Sequence, residues 1–339
     1  MTTVKVSVGI DVSKDSLDVC LGLLSSDQHQ KFPGRAKFPN TRAGYRKLAA
    51  LAARQLPSKK SPLWFVMEAT GVYYEELAFY LSEHGFQLAV ILPNKLKHYA
   101  KTLDVKSKTD ALDARAIAQF GLERPLSTWT PPSPQMRRLK ELTREHTTIQ
   151  DHATQIKNQL HAKHHSHAPG EATLTRLEAQ LGLFKQQLRE IEREIRSIVA
   201  SDPDLKARVA NVTTANGIGL MTTVKVVGET AGFALIRSLK QLSSYAGLDV
   251  ALRESGQRRG KPAISKKGNR HLRRAVFMPA LSAIRCNKQL KRLFLRLVET
   301  KGNKMVALMA VARKLLGLIY TLWHSNKPYD PNYVSAHAA

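Results

Sequence analysis

The chain has 339 residues, enough for one to three domains with a sizeable core, and carries 53 Lys and Arg against 27 Asp and Glu, a formal net charge of +26. A balance this basic points to a polyanionic partner, DNA or RNA. Cys20 and Cys286 form no disulfide or zinc pattern, the N-terminus reads as a strand and not a signal peptide, and no run of about 18 apolar residues occurs; the expectation is a protein of a reducing compartment, with no membrane span.

In chain order, Val4 to Ile10 reads as a strand that ends at Asp11. Leu17 to Leu24 forms a second strand, hairpin-paired with the first, and His29 to Phe38 a third. Thr41 caps a helix that runs through Arg54. Leu63 to Met67 is an apolar strand that stops at Glu68; a helix from Val72 to His84 and a strand from Leu88 to Leu92 follow. Strands alternating with helices predict a mixed α/β domain. Asp110 and Asp113 open a helix running to Leu122, after which Pro125, Pro131, Pro132 and Pro134 form a stiff connector.

The next segment is helical. Leu174, Leu177, Leu181, Phe184, Leu188, Ile191, Ile195 and Ile198 recur at heptad spacing, a seam that serves either an intramolecular pairing, with Ile149, Ala153, Ile156 and Leu160 as the antiparallel partner, or an oligomer contact. Between them lies the tip HAKHHSHAPG. Its histidines, His161, His164, His165 and His167, read as a polar tip, since no Cys or carboxylate completes a ligand set. After Asp202-Pro203 the chain is basic and helical. Gly217 to Gly219 form a turn between two helices, either a phosphate-facing row of N–H groups or a tight helical connection.

Asp11, Glu68, Asp110 and Asp113 each stand at the edge of an apolar segment. Asp11 and Glu68 end strands, and the spacing of Asp110 and Asp113 puts them on one helical face. Four carboxylates gathered in one place repel one another without a cation, so Mg²⁺ and two-metal phosphoryl chemistry are implied. Taken singly, each could be a cap or a surface charge; Asp15, Asp18 and Asp104 are set aside as neighbours without this placement. Ser255 lies in a loop beside Arg253, Arg258, Arg259 and Lys261. On residue chemistry alone it reads first as a turn serine among DNA contacts, since no His/Asp pair is spaced to activate it. Ser265 to Arg270 begin a helix that carries Arg273 and Arg274, and Lys266, Lys267, Arg270, Arg273 and Arg274 are expected on backbone phosphates.

The runs GIDVSKDSLDV, EATGVYY, KTDALDARAIA, SSYAGL, ESGQRRG, SKKGNRHLRRAVFMPALSA and KMVALMAVARKLL resemble, in order and over nearly the whole chain, the DEDD transposases of the insertion-sequence family called "one-ten", whose better-studied members are bridge-RNA-guided DNA recombinases. The resemblance implies an RNase H-like (RuvC-like) α/β domain over 1–130, a coiled-coil arm over 131–204, a mainly α-helical transposase domain with a catalytic serine over 205–325, and a tail over 326–339. It makes Asp11, Glu68, Asp110 and Asp113 the metal-binding DEDD acids and Ser255 the nucleophile of a phosphoserine intermediate. It also implies DNA and a structured bridge RNA as partners, a dimer or tetramer in which the metal domain of one subunit faces the serine domain of another, and a prokaryotic cytoplasmic setting with nucleoid association during activity. Where the family reads IPGIG this chain reads TANGIG, with Asn216 in the proline's place. Three other readings remain. A Holliday-junction-type endonuclease would use water in place of Ser255. A non-enzymatic nucleic-acid-binding protein would be indifferent to Asp11 and Glu68. A sugar-kinase-like ATPase shares the opening GIDVSKDSLDV but would need a later glycine-rich adenosine loop that this chain does not offer.

Overall fold

The computed structural model describes residues 3–54, 62–69, 71–103, 110–234, 236–251, 254–255, 258–259 and 263–332, with the backbone alone described at 94, 110–112, 254–255 and 258–259. The chain divides into two compact units, Met1–Pro131 and Pro132–Ala339.

The first unit is built on a five-stranded mixed sheet. Strands β1 (Thr3–Val12), β2 (Ser16–Ser25) and β3 (Gln30–Pro39) form an antiparallel meander, followed by helix α1 (Arg42–Arg54). Strands β4 (Leu63–Glu68) and β5 (Gln87–Ile91) flank α2 (Glu75–Glu83); α3 (Pro93–Ala100) and α4 (Asp110–Glu123) complete the unit. The sheet order is β3-β2-β1-β4-β5, with β4 parallel to both β1 and β5. Two-residue alternation gives the sheet two apolar faces. Val6, Val8 and Ile10 with Phe65 and Met67 pack under α1 and α2, while Gly9, Ser7 and Val66 face α4. The α/β class, the strands and the Thr41 start of α1, where the Gly44 N–H donates to Thr41 Oγ1 at 3.3 Å, follow the sequence expectation.

The second unit is helical. Helices α5 (Pro134–His164) and α6 (Glu171–Ser201) run antiparallel, followed by α7 (Pro203–Thr213), α8 (Leu220–Thr230) and α9 (Leu239–Ala246). Four two-residue strands then precede the last helices: β6 (Val250–Ala251), β7 (Glu254–Ser255), β8 (Arg258–Arg259) and β9 (Ala263–Ile264). Helices α10 (Arg270–Cys286), α11 (Lys288–Lys301) and α12 (Lys304–Ser325) complete the unit. Pro134 does not belong to the stiff connector: it is the first residue of α5, where a missing N–H costs nothing, and the Ser133 side chain caps that helix. The heptad seam changes character along the arm. Near the root, Ile191, Ile195 and Val199 enter the core of the unit; toward the tip, Leu174, Leu177, Leu181 and Phe184 are only half-covered. Helix α12 is the one described helix long and apolar enough to cross a membrane. Here it is the central core helix: Val311, Ala312, Leu315 and Ile319 are fully buried among α7, α9, α10 and α11.

Candidate active site

The carboxylates of the first unit are placed by a close helix–sheet contact. A Cβ on Gly9 would strike the backbone of Ala114 and Ala118, and one on Gly121 would strike Ser7 and Val66. These two glycines let α4 lie directly on β1. Gly121 sits over Ser7 and Ala114 over Gly9, so α4 runs antiparallel to β1 and its first turn lies at the Asp11 end. Asp11 follows Ser7 and Gly9 at two-residue spacing and so shares their face. On β4, Val66 contacts α4, and Glu68 is two residues on. Because Ile10 is registered with Met67, Asp11 and Glu68 occupy the next step of neighbouring parallel strands. Backbone register therefore brings Asp11, Glu68 and the first turn of α4, which carries Asp110 and Asp113, to one corner.

Asp11, Glu68 and Asp113 are half-buried there. Among the described residues they do not form a closed cage of three or more metal ligands, and the Asp110 side chain lies outside those residues. The donor set is nonetheless one that suits a hard divalent cation: carboxylate oxygens only, contributed by three elements, in a place where like charges repel without a counter-ion. Asp18 is cross-strand partner to Asp11 and is ion-paired instead with the Lys37 ammonium at 3.1 Å. Asp15 is exposed in the β1–β2 turn, and Asp104 lies outside the described residues.

Ser255 belongs to the second unit. It stands on a two-residue hairpin, registered opposite Arg258, and not in an open loop as expected; strands this short leave no alternation to read. A stem of β6 paired with β9 carries that hairpin. Below the stem, Ser265 Oγ donates to Asp249 Oδ1 at 2.6 Å, and the Asn269 N–H donates to the Tyr245 carbonyl at 2.7 Å. The helix expected from Ser265 begins only at Arg270. Lys266 has φ of 54° and Gly268 has φ of 158°, neither compatible with a helix, and a Cβ on Gly268 would meet the Tyr245 carbonyl.

Asn269 fixes the base of the stem. Its Oδ1 accepts from the N–H groups of His271 and Leu272, capping α10, while its Nδ2 donates to Glu229 Oε2 at 2.7 Å. Glu229, on α8, is 6% exposed and accepts two more bonds from Arg144 of α5, at 2.6 and 3.0 Å. Burial alone would raise the pKa of this carboxyl, but the hydrogen bonds from Arg144 and Asn269 outweigh it and hold Glu229 below its usual value. Sequence reading missed Glu229 and Asn269; their partners lie 85 and 40 residues away, and only the N-cap chemistry of Asn before a helix was visible.

The expected phosphate contacts divide. Lys266, Lys267 and Arg270 are exposed. Arg273 does not fit the expectation: its guanidinium donates to the carbonyls of Ala246, at 2.8 Å, and Gly268, tying α9 to the stem. Arg274 does not fit it either, being ion-paired with Asp151 of α5. Arg253 and Lys261 lie outside the described residues, and for Arg258 and Arg259 only the backbone is described. Gly217 has φ of 98°, and a Cβ there would lie 2.9 Å from Ala283 of α10, so the TANGIG turn is fixed by packing in the absence of the proline. The four histidines of the tip, His161, His164, His165 and His167, are exposed.

Residues 8–167 match a transposase family, the DEDD type of IS110, and residues 209–295 match the family described as Transposase IS116/IS110/IS902. The chain is similar to the "Pilin gene-inverting protein" of Moraxella lacunata, 28% identical over 336 residues, which cover 96% of this chain and 98% of the relative. The "Transposase for insertion sequence element IS1328" of Yersinia enterocolitica is 24% identical over 224 residues, 59% of this chain and 65% of the relative. Among solved structures, Thermus thermophilus RuvC aligns over 37% of this chain and 99% of its own, with 12% identity and a TM-score of 0.28.

Proposed function

Because this chain belongs to the IS110 family of transposases, enzymes that cut and rejoin DNA, we propose that Asp11, Glu68, Asp110 and Asp113 hold divalent metal, Mg²⁺, and that Ser255 is the nucleophile of strand exchange. The observation that carries the metal half is the contact of Gly9 and Gly121, which sets the first turn of α4 beside the ends of β1 and β4. The serine half draws support from the paired strands of residues 254–255 and 258–259 and from the anchored base at Asn269.

In this reading the Ser255 hydroxyl oxygen bonds to the scissile phosphorus as the bond from phosphorus to the sugar oxygen breaks. The serine proton is lost and the departing sugar oxygen gains one. The phosphoserine ester keeps the bond's energy, and a sugar hydroxyl of the exchanged strand reverses the step, freeing Ser255. Metal, when bound, supplies Lewis-acid stabilisation of charge on the phosphate. Arg258, registered opposite Ser255, and the exposed Lys266, Lys267 and Arg270 neutralise neighbouring phosphates. The acids act on a phosphate attacked by the serine of another subunit in a dimer or tetramer, in the cytoplasm, and pairing to a bound bridge RNA chooses the DNA.

The test is to purify the protein with its co-purifying nucleic acid, sequence any RNA, and incubate with DNA carrying the element's ends. A DNA adduct mapped to Ser255, absent in Ser255→Ala and in excess chelator, is expected. Cleavage that persists in Ser255→Ala with no adduct would establish water as the nucleophile and end the proposal.

A further inference from the structure

Beside the anchor of the stem, and sharing Arg144 and Glu229 with it, the second unit holds a groove of about 590 Å³ between α5, α8 and α10. Its volume is in the range of sites that take a small ligand or part of a larger one. Three cationic side chains line it, Arg144, Lys225 and Arg274, together with His271, whose burial favours the neutral ring. Two are matched by acids in the same wall, Arg144 by Glu229 and Arg274 by Asp151. Lys225 is not. Among the described residues no carboxylate stands within ion-pair distance of its ammonium, although Asp151 and Glu192 attract it from further away. The first turn of α8, capped by Gly219 without a side chain, also reaches this wall through Met221 and Thr222, and Gly217 precedes it there. A surplus cation midway along α8, in an open groove that also takes in the first turn of that helix, matches an anion.

We propose that this groove seats the phosphodiester backbone of a nucleic-acid strand, with the Lys225 ammonium on one phosphate. The choice of a nucleic acid as the source of that anion rests on the chain's action on DNA, and not on the role given to Ser255. Lys225 is half-buried, and its burial together with the nearby Arg274 disfavours its charged form. A phosphate in the groove removes that penalty, so the site gains more from an anion than an exposed lysine would.

The experiment measures binding alone, using the full chain with Ser255→Ala in excess chelator. Labelled duplex DNA, single-stranded DNA and structured RNA of equal length are titrated across a salt series. Lys225→Ala is expected to weaken at least one probe by about tenfold, the scale of one charge-assisted hydrogen bond. It should also lower the slope of log affinity against log salt by about 1. Lys225→Arg should restore both. The probe that responds names the source of the phosphate, DNA or RNA. Thr222→Glu guards against a folding artefact. Thr222 is the third residue of α8, where Glu favours the helix, so melting temperature should hold or rise while binding falls. Wild-type affinity and salt slope with all three probes, in Lys225→Ala or in Thr222→Glu, would overturn the proposal. A missing Ser255 adduct in the wild-type chain would bear on the nucleophile alone and leave these binding measurements standing.

Discussion

The acid corner of the first unit and the serine stem of the second are built by different means. At the corner, the acids proposed for metal stand at or near the ends of regular elements, and backbone register does the placing: β1 against β4, and α4 against β1 through Gly9 and Gly121. At the stem, two-residue strands carry no such information, and long-range polar bonds take over: Glu229 gathers Arg144 of α5 and Asn269 at the start of α10. The first design is rigid in its packing and concentrates like charge. The second is held by a buried network whose failure at one member leaves another charge without a partner.

The largest expected effect tests the corner. Asp11→Asn or Glu68→Gln should lower strand cleavage on the order of 10³-fold, as removal of focused electrostatic stabilisation does elsewhere, while DNA affinity and melting temperature hold. Cleavage within a few-fold of wild type would detach these acids from the chemistry. Next comes the contact that positions them. Gly9→Val drives a side chain into the α4 backbone and should cost about 1–3 kcal/mol in urea denaturation. A neutral result would mean that α4 does not lie on β1.

The stem offers a matched test. Asn269→Asp keeps the cap of α10 but sets a second carboxylate against Glu229, at a cost of about 1–3 kcal/mol. Adding Glu229→Gln restores a donor and one negative charge for Arg144, and the double variant should recover most of the loss in stability and in Ser255 adduct. Strictly additive losses would remove the network from the account. The smallest effect concerns the arm root. His146 of α5 is buried, with Nδ1 unpaired and Nε2 only 3.4 Å from Glu192. Burial, then the charge of Lys225, lower its pKa despite Glu192. The unfolded chain thus takes up the proton more readily. This contribution to stability is present above the ordinary histidine value of about 6.5 and is lost as pH falls below it, by at most about 1.4 kcal/mol per pH unit. Replacing His146 with Gln should flatten the fall in melting temperature between neutral and mildly acidic pH; an unchanged slope would show that the histidine does not titrate with folding.

The same contrast decides what could be read from the sequence. The strands ending at Asp11 and Glu68, the Thr41 cap and the heptad seam were legible because periodicity and caps are local. That Gly9 and Gly121 are the reason α4 can approach was not, since neither glycine marks a turn. The basic run after Ser265 was visible as charge, but charge does not tell an exposed Lys266 from an Arg273 bound to the Ala246 and Gly268 carbonyls. Such assignments depend on distant partners: Arg273 meets Ala246 across 27 residues of chain, and Arg274 meets Asp151 across 123.

Helix α12 has a consequence for the order of synthesis. Its partners α7, α9, α10 and α11 all precede it in the chain, so the surfaces that cover it leave the ribosome first. A segment greasy enough for a bilayer emerges with its docking sites already made, whereas translation halted just before Lys304 would strand a pocketed bundle with its keystone missing.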